Sequence, residues 1–419
     1  MGAVVKHYDV IIVGAGPAGS AAAFQLSRGG ASVALLEKHH LPRRKTCGGG
    51  MPMSVGDLLK LSEIRDLAPE AFVESTARFM RHTYDWKDPV MGSLNREGVA
   101  PGEKQYALWM VQRSIFDNAL AQRAAKAGTE LFDELSVKSL DIERNKPVQV
   151  NAERKTGESW SATADTILGA DGANGIIAKQ TGLRKERTLA IAIEAEVPHV
   201  WGEGRSELRQ DTCHLEYGAV KRGYAWIFPK GDHLNVGAGV FRPKGANGGS
   251  DQNVRQELHN AILGYLNLMG VPKRIEDLAL YAHPLPIWNG LDTLQTHDNR
   301  VLLVGDAAGL VNPFFGDGIL HALRSGQIAA ECILNSNQAE YTKEIGLEFK
   351  KNFDAALKMA HFFYQFPQFC YQQGVKRPNA TNTATRLLYG EALFSDIAGR
   401  AMRRIRGAML RDSLQNGST

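Results

Sequence analysis

The region between Tyr8 and Glu37 constrains the fold more than any other part of the chain. Tyr8–Val13 is short, apolar and β-branched, as buried parallel strands are. A glycine-rich turn, Gly14–Gly19, follows it and leads into the helix-forming run Ser20–Leu26 and a second apolar strand, Ser32–Leu36. This order predicts a βαβ unit that binds a dinucleotide at its first turn.

Each part of this unit has a physical role. Gly14 permits the tight turn, Gly16 lets the backbone approach a pyrophosphate, and Gly19 lets helix and strand pack closely. The helix N-terminus offers free N–H groups and positive dipole to the phosphates. Glu37, at the end of the second strand, can accept hydrogen bonds from a ribose. The motif by itself does not distinguish FAD from NAD.

A second nucleotide-type signature lies near residue 300. The strand Val301–Val304 leads into Gly305-Asp306, and the loop Pro313–Gly318 opens a helix predicted over Leu320–Asn335. The strand delivers the Asp306 carboxylate to the edge of the sheet, where ligands bind in such folds. A carboxylate there can hold ribityl hydroxyls, and the helix N-terminus can stabilise negative charge on a reduced flavin.

These elements resemble the FAD motifs of the para-hydroxybenzoate hydroxylase-like flavoprotein superfamily. Two further pieces resemble it too: the strand and Asp-Gly turn of Ala164–Gly175, and Arg113, which opens a helix. The resemblance implies FAD, and non-covalent binding is expected because the sequence has no separate signal for covalent attachment. The resemblance also implies an α/β fold, with a Rossmann-type FAD-binding domain, an inserted antiparallel β-sheet substrate domain and a C-terminal helical region. We place the FAD-binding domain at 1–75, 105–185 and 290–338, the substrate domain at 76–104 and 186–289, and the helical region at 339–419.

Three segments narrow the choice of family within this superfamily. Arg43–Pro52 contains Cys47-Gly48-Gly49, and Gly223–Lys230 reads Gly-Tyr-Ala-Trp-Ile-Phe-Pro-Lys. Together with the loop Pro313–Gly318 they resemble the geranylgeranyl reductase family. That resemblance implies reduction of C=C bonds in a polyprenyl chain, by hydride from reduced flavin and a proton. Substrates of the family include geranylgeranyl diphosphate, geranylgeranylated chlorophyll and archaeal-type ether lipids.

The resemblance also suggests roles for residues. Cys47 is expected beside the flavin, as proton donor or shield, and the alternative is a small buried residue that supports the glycine turn. Tyr224 and Trp226 are the other predicted catalytic residues. Substrate contacts are expected from Tyr224, Trp226, Phe228 and Lys230. Cofactor contacts are expected from Gly14, Gly16, Ala18, Gly19, Glu37, Lys38, Cys47, Gly48, Arg113, Asp171, Gly172, Gly305, Asp306, Pro313, Gly316, Gly318 and Ile319.

Two other functions stay open. The same fold hosts flavin-dependent monooxygenases and halogenases, and the halogenase pattern Trp-x-Trp-x-Ile-Pro is distantly similar to Tyr224–Pro229. The position of this segment in the predicted substrate sheet, and its initial Tyr, argue against a halogenase. A flavin-binding lipid carrier or chaperone is the non-enzymatic alternative. Oxygen consumption and turnover separate the three.

The C-terminal region allows two interpretations at two places. His361–Tyr371 is dense in aromatic residues and can line an apolar tunnel or pack against the sheet. Leu393–Arg411 is predicted to be a basic amphipathic helix, with Ile397 on its apolar face and Arg404 beside it. It either contacts a membrane surface or packs as a terminal helix. Arg43, Arg44 and Lys45 are candidates for binding a diphosphate.

Composition limits which partners, metal sites and cellular locations are expected. The net charge of +4 does not suggest a nucleic-acid partner. The four cysteines have no metal-binding spacing, so no metal site is predicted, and their scatter fits a reducing compartment. Without a signal peptide or a long apolar run, a cytoplasmic protein, either free or at a membrane surface, is expected. No second glycine motif supplies an NADPH domain, so either NADPH or an acidic ferredoxin is the expected reductant.

Overall fold

The structure is a computed structural model that describes residues 5–96, 105–241, 251–397 and 399. Its strands are β1 Lys6–Val13, β2 Val33–Leu36, β3 Gly50–Pro52, β4 Val73–Ala77, β5 Phe79–Tyr84, β6 Lys87–Ser93, β7 Leu108–Val111, β8 Glu130–Phe132, β9 Leu135–Asp141, β10 Val148–Arg154, β11 Ser159–Gly169, β12 Thr188–Pro198, β13 Thr212–Glu216, β14 Gly223–Pro229, β15 His233–Phe241, β16 Tyr281–Ile287 and β17 Val301–Leu303. Its helices are α1 Pro17–Arg28, α2 Val55–Leu58, α3 Leu61–Ile64, α4 Arg113–Lys126, α5 Ile177–Thr181, α6 Asp251–Leu268, α7 Ile319–Leu334, α8 Tyr341–Ile345, α9 Lys351–Gln365, α10 Pro367–Cys370 and α11 Ala380–Leu388.

The first sheet carries the predicted nucleotide site. Its strands run in the order β8, β2, β1, β11, β10 and β9, and β17 also pairs with β11. Strands β8, β2, β1, β11 and β17 are parallel, so the turns after β1, β11 and β17 meet at one edge. The predicted Rossmann-type α/β fold is therefore confirmed. Helix α1 begins at Pro17, earlier than the predicted Ser20, because proline is favoured in a first helical turn.

The second sheet has the order β16, β12, β15, β14, β13, β5 and β6. Its strands come from the two segments that we assigned to the substrate domain, 76–104 and 186–289. The prediction of a purely antiparallel sheet is wrong at one pair, because β13 and β5 are parallel. These two strands lie far apart in sequence, so no hairpin forces them to be antiparallel. The exact domain boundaries stay a prediction.

One face of this second sheet is covered by α6, and the opposite face is open toward the first sheet. Apolar side chains of β12, β14 and β15 pack against α6 in one hydrophobic cluster. On the open face, the antiparallel register aligns Glu194 with Gly237 and Gly237 with Trp226. The next row on that face is Glu196, Asn235 and Phe228. Polar and aromatic side chains of these rows thus point toward the FAD-type motifs.

A third, small sheet consists of β3, β7 and β4, which we did not predict from the sequence. The described residues after 339 are mostly helical, and they include π-helical turns at Gly346–Lys350 and Tyr371–Val375. Most of the predicted amphipathic helix Leu393–Arg411 lies outside the described residues. No helix in the described part of the chain is long and apolar enough to cross a membrane.

Candidate active site

Two glycines of the turn after β1, Gly14 and Gly19, cannot be replaced by another residue without a clash. Gly14 has φ +109°, and a Cβ there would lie 2.3 Å from the carbonyl oxygen of Ala170. A Cβ on Gly19 would lie 2.0 Å from the carbonyl oxygen of Gly14. Gly19 therefore packs the start of α1 against the turn and does not itself face the cavity described below.

The N-terminus of α1 is free to receive an anion. Its N-cap is Gly16, no described side chain caps it, and its first turn contains no acidic residue. The nearest atom to a Cβ placed on Gly16 is Arg43 Nη2, at 3.9 Å, so the approach to the backbone is open. This arrangement fits a pyrophosphate on the helix N-terminus.

Glu37 lies where a ribose contact was predicted, and it is already engaged by protein groups. Its Oε2 accepts the Ala15 N–H at 3.2 Å and lies 3.0 Å from Arg43 Nε. Arg43 also pairs with Asp117 at 2.8 Å, and Asp117 accepts two hydrogen bonds from Arg113. Arg43, a candidate for a diphosphate site, is thus held inside a buried chain of charges.

Arg113 connects this chain of charges to Cys47. Burial disfavours the charged guanidinium, but Asp117 and Cys47 outweigh it and raise the pKa of Arg113. The Cys47 N–H donates to Glu194 Oε1 at 2.7 Å, and the Gly49 N–H donates to Cys47 Sγ at 3.4 Å. The loop that carries Cys47 is therefore fixed from three directions, by α4, by β12 and by its own glycines.

The second motif places a carboxylate and a helix N-terminus side by side. A Cβ on Gly318, the N-cap of α7, would lie 3.6 Å from Asp306 Oδ1. No described side chain caps α7, and its first turn has no acidic residue. The Gly305 N–H donates to Ser325 Oγ at 3.0 Å, which fixes the turn that presents Asp306. The Asp306 carboxylate can hold hydroxyls, and the N-terminus of α7 can hold an anionic group at a neighbouring position.

The third motif shows an unused acceptor. Asp171 Oδ2 accepts the Ile177 N–H at 3.0 Å, while its buried Oδ1 has no partner among the described residues. Burial raises the pKa of the Asp171 carboxyl, and the Ile177 N–H opposes that effect. Gly172, with φ +75°, leaves open space beside it. A ligand hydroxyl or N–H at this point would satisfy the free oxygen.

Three aromatic side chains of β14 form the floor of the site. The rings of Tyr224 and Trp226 lie 5.9 Å apart, and those of Trp226 and Phe228 lie 6.1 Å apart. The Tyr224 O–H donates to the Phe315 carbonyl oxygen at 2.7 Å, and Trp226 Nε1 donates to Asn235 Oδ1 at 2.8 Å. Both polar atoms are thus satisfied by protein groups, and the rings line the cavity, where they can contact an apolar chain.

Lys230, predicted to bind substrate, lies apart from these rings. Its amino group donates to the Val111 carbonyl oxygen at 2.7 Å and lies behind Gly49, where a Cβ would come within 2.4 Å of it. The residue is 1% exposed and does not line the cavity. In this arrangement it supports the loop that follows Cys47 and does not face a ligand.

All these elements surround one cavity of about 1090 Å³. Every predicted cofactor and substrate residue except Gly19 and Lys230 lines it. Besides the FAD-type motifs, its walls come from β14, β16, α9 and α11. Within the aromatic C-terminal segment, Phe362, Phe363 and Tyr364 line the cavity, while Tyr371 is buried. The segment therefore both lines the cavity and packs against the sheet.

Sequence reasoning missed several side chains of this cavity. Glu194, His82, Tyr217 and His283 line it, although they lie in no recognisable motif. Burial lowers the pKa of His82 to about 4, so its imidazole is neutral at pH 7. Burial, aided by nearby cations, lowers the pKa of His283 to about 3. The one available signal was the alternation of Ala190–Val197, which shows a strand but not which side chain faces a ligand.

The residues present fit FAD. Two uncapped helix N-termini, an open glycine backbone at Gly16, the Asp306 carboxylate and the unsatisfied Asp171 oxygen match the phosphates, hydroxyls and ring polar atoms of a flavin dinucleotide. Within the described residues we find no group of three or more His, Cys, Asp or Glu side chains arranged to hold a metal ion.

Comparison with known proteins agrees with this geometry. Residues 7–325 match the FAD binding domain family. The chain is 30% identical to the geranylgeranyl diphosphate reductase of Rhodobacter capsulatus, over 82% of each chain. It is 26% identical to the digeranylgeranylglycerophospholipid reductase of Methanococcus vannielii, over 90% of this chain and 89% of that one.

Two solved structures share the fold. A geranylgeranyl bacteriochlorophyll reductase-like protein of Thermoplasma acidophilum superposes with a TM-score of 0.73 at 21% identity, over 98% of this chain and 99% of that one. The flavin-dependent brominase Bmp2 superposes with a TM-score of 0.71 at 20% identity, over 96% and 100%. The chain thus belongs to the FAD-binding oxidoreductase family, within the group that contains the geranylgeranyl reductases.

Proposed function

We propose that this protein is an FAD-dependent reductase that saturates C=C bonds in a geranylgeranyl or other polyprenyl chain. The observation that carries the proposal is that one continuous cavity joins the FAD-type motifs to an aromatic chamber. By aromatic chamber we mean the part of the cavity that is lined by Tyr224, Trp226, Phe228, Phe314 and Phe363. Its volume of about 1090 Å³ lies above the usual range of roughly 300–1,000 Å³ for one small-molecule site. A flavin and part of a long apolar chain can therefore occupy it together.

The cavity wall determines which substrate it favours. Tyr224, Trp226 and Phe228 of β14 line the cavity together with Phe314 and Phe363, whose rings lie 5.5 Å apart. Such a wall binds an isoprenoid chain by apolar contact and excludes water. The relatives whose names describe reductases of geranylgeranyl compounds match this chemistry.

When bound, FAD in its reduced form supplies the hydride for such a reduction. The chain's own residues orient the cofactor and the alkene and supply the proton. Asp306 and the N-terminus of α7 hold the flavin end, and the N-terminus of α1 holds the phosphates. We call the FAD-type motifs that line the cavity the cofactor cradle. Cys47, fixed between Arg113 and Glu194, lies at the junction of the cofactor cradle and the aromatic chamber.

The head group, the electron donor and the location in the cell form the finer part of the proposal. The head group of the substrate belongs to a diphosphate, a pigment or a lipid. Arg43, Arg44 and Lys45 all line the cavity, but Arg43 is paired with Glu37 and Asp117. Arg44 and Lys45 are therefore the cations of this run that we propose for the head group. NADPH or ferredoxin delivers the electrons, and the substrate enters from a membrane surface when it is a lipid.

A flavin-dependent monooxygenase or halogenase is the second candidate, because a brominase shares the fold. The named sequence relatives, which are aligned over most of both chains, are reductases, and this favours reduction.

Product analysis separates the candidates. The oxidised holoprotein is reduced with dithionite under anaerobic conditions, mixed with geranylgeranyl diphosphate or a geranylgeranylated lipid, and the products are weighed by mass spectrometry. A reductase adds two hydrogens for each bond reduced and needs no oxygen. An oxygenated or halogenated product that forms only in air would favour the second candidate. A bound but unchanged chain would indicate a lipid carrier.

A further inference from the structure

The open face of the second sheet contains a buried acid that the predicted machinery does not use. Glu194, in the middle of β12, is 3% exposed and lines the cavity beside Cys47. Its Oε1 accepts the Cys47 N–H at 2.7 Å, so the carboxyl is held at the junction of the cofactor cradle and the aromatic chamber. A carboxyl group buried at such a place needs a reason, because burial of the charged form is costly.

Glu194 has a second acid as its neighbour on the same face of β12. Glu196 lies two residues further along, and Asn235 Nδ2 donates to Glu196 Oε1 at 3.0 Å. The amide of Asn235 is oriented by Trp226, whose Nε1 donates to Asn235 Oδ1 at 2.8 Å. Because the oxygen of the amide faces the indole, its NH₂ group faces the two carboxyls.

The outer acid is connected to solvent. Glu196 Oε2 lies 3.1 Å from His233 Nε2, and His233 Nδ1 lies 2.8 Å from Asp232 Oδ1. The Asp232 and Glu196 side chains are 94% and 33% exposed, whereas that of His233 is 9% exposed. Solvent therefore reaches this cluster at Asp232 and at Glu196, which lies two residues from the carboxyl beside the cavity.

The environments of the two acids shift their pKa values in opposite directions. Burial and the charge of Glu196 raise the pKa of Glu194. The Cys47 N–H, Asn235 and Lys230 lower it, but the net shift is upward. Although burial also opposes ionisation of Glu196, His233, Asn235 and Lys230 lower its pKa. Paired carboxyls that differ in this way are typical of sites in which one holds a proton and the other a charge.

We propose that Glu194 holds the proton that is transferred to the alkene, and that Glu196, His233 and Asp232 return a proton to it from solvent. The inference rests on the proposed function. In the step, one alkene carbon gains the Glu194 proton and the other gains the hydride that reduced FAD supplies. The π bond is lost, two C–H bonds form, and Glu194 is left as a carboxylate.

The test uses the full-length holoprotein and the variant Glu194→Gln. Glutamine keeps an oxygen for the Cys47 N–H but has no acidic proton. FAD content and reduction by dithionite should match the wild type, while the reduction of a geranylgeranyl chain in a single turnover should slow by roughly 10²–10⁴-fold. The wild-type rate should fall as the pH rises through the raised pKa of Glu194, and the variant should lack this decline.

A second variant tests the pairing. Glu196→Gln removes the neighbouring negative charge, so the decline of the rate should move to lower pH. If Glu194→Gln does not fold, Glu194→Asp serves instead, and it should be slower but keep the decline with pH.

Infrared spectroscopy gives a readout that needs no substrate. The oxidised wild type should show the C=O stretch of a protonated carboxyl group that disappears as the pH rises through the raised pKa of Glu194, and Glu194→Gln should lack that band. Wild-type rates in Glu194→Gln, or identical carboxyl bands in both proteins, would overturn the proposal. If no prenyl chain is reduced by the wild type, the proposed function fails, and the infrared comparison still decides whether Glu194 holds a proton.

Discussion

Replacement of Gly237 by alanine tests the packing of the open sheet face. Gly237 lies between Glu194 and Trp226 in the register of β12, β15 and β14. A Cβ at this position would lie 2.1 Å from Trp226 Cζ2 and 2.5 Å from Cε2. Carbon atoms in contact are about 3.5–4.0 Å apart, so the indole must move by about 1.5 Å.

The cost follows from what holds the indole in place. Trp226 is 7% exposed, and its Nε1 hydrogen bond to Asn235 is 2.8 Å long. Overpacking a core costs about 1–3 kcal/mol, and loss of the hydrogen bond adds about 1 kcal/mol. We therefore expect Gly237→Ala to lower the free energy of unfolding by about 2–4 kcal/mol.

Gly239→Ala is the matched control on the same face of the same strand. Its Cβ would lie 3.5 Å from the Ile191 carbonyl oxygen and 3.7 Å from Trp226 Cζ3, which are ordinary contacts. Because alanine also restricts the unfolded chain, this variant should be neutral or up to about 1 kcal/mol more stable. Urea denaturation of both variants measures the difference. Equal stability of Gly237→Ala and Gly239→Ala would refute the packing argument.

Three further predictions concern the cofactor, the thiol and acid stability. Asp306→Ala should weaken FAD binding by about 1.5–3 kcal/mol, as measured by flavin fluorescence titration. The control Asp165→Ala, at an exposed position, should bind FAD normally, and equal affinity of the two variants would contradict the role of Asp306. Cys47→Ser keeps the N–H that Glu194 accepts, so flavin content and dithionite reduction should stay normal while the substrate half-reaction slows; an unchanged rate would leave Cys47 only a packing role. Burial and the charge of Arg81 lower the pKa of His214 to about 3, below its unfolded value, so its stabilising contribution is present above about pH 6.5 and is lost as the pH falls. Between pH 7 and 5 the stability of His214→Gln should therefore fall by about 2 kcal/mol less than that of the wild type, and equal losses in urea denaturation would contradict this.

Local patterns in the sequence were enough to identify the motifs that surround the cavity. Gly14, Gly16 and Asp306 lie in turns and at strand ends, whose geometry depends on residues close in sequence. The alternation of β14 likewise fixed which side of the strand carries Tyr224 and Trp226. The FAD-binding fold predicted from these patterns is confirmed.

The rest of the site depends on contacts between distant residues. Glu194 gains its significance from Cys47 and Asn235, which come from another loop and another strand. Lys230 follows the aromatic motif directly, yet its side chain points to Val111 behind the glycine loop. No spacing rule relates these pairs, so their arrangement is visible only in the folded chain.

Anaerobic single-turnover absorbance spectroscopy tests the central claim most directly. The protein-bound FAD is reduced without excess dithionite and mixed with geranylgeranyl diphosphate or a geranylgeranylated lipid in the absence of oxygen. We expect the absorbance of oxidised flavin to return and the product to gain two hydrogens for each flavin reoxidised. A flavin that stays reduced with every prenyl substrate until oxygen is admitted would contradict the assignment as a prenyl reductase.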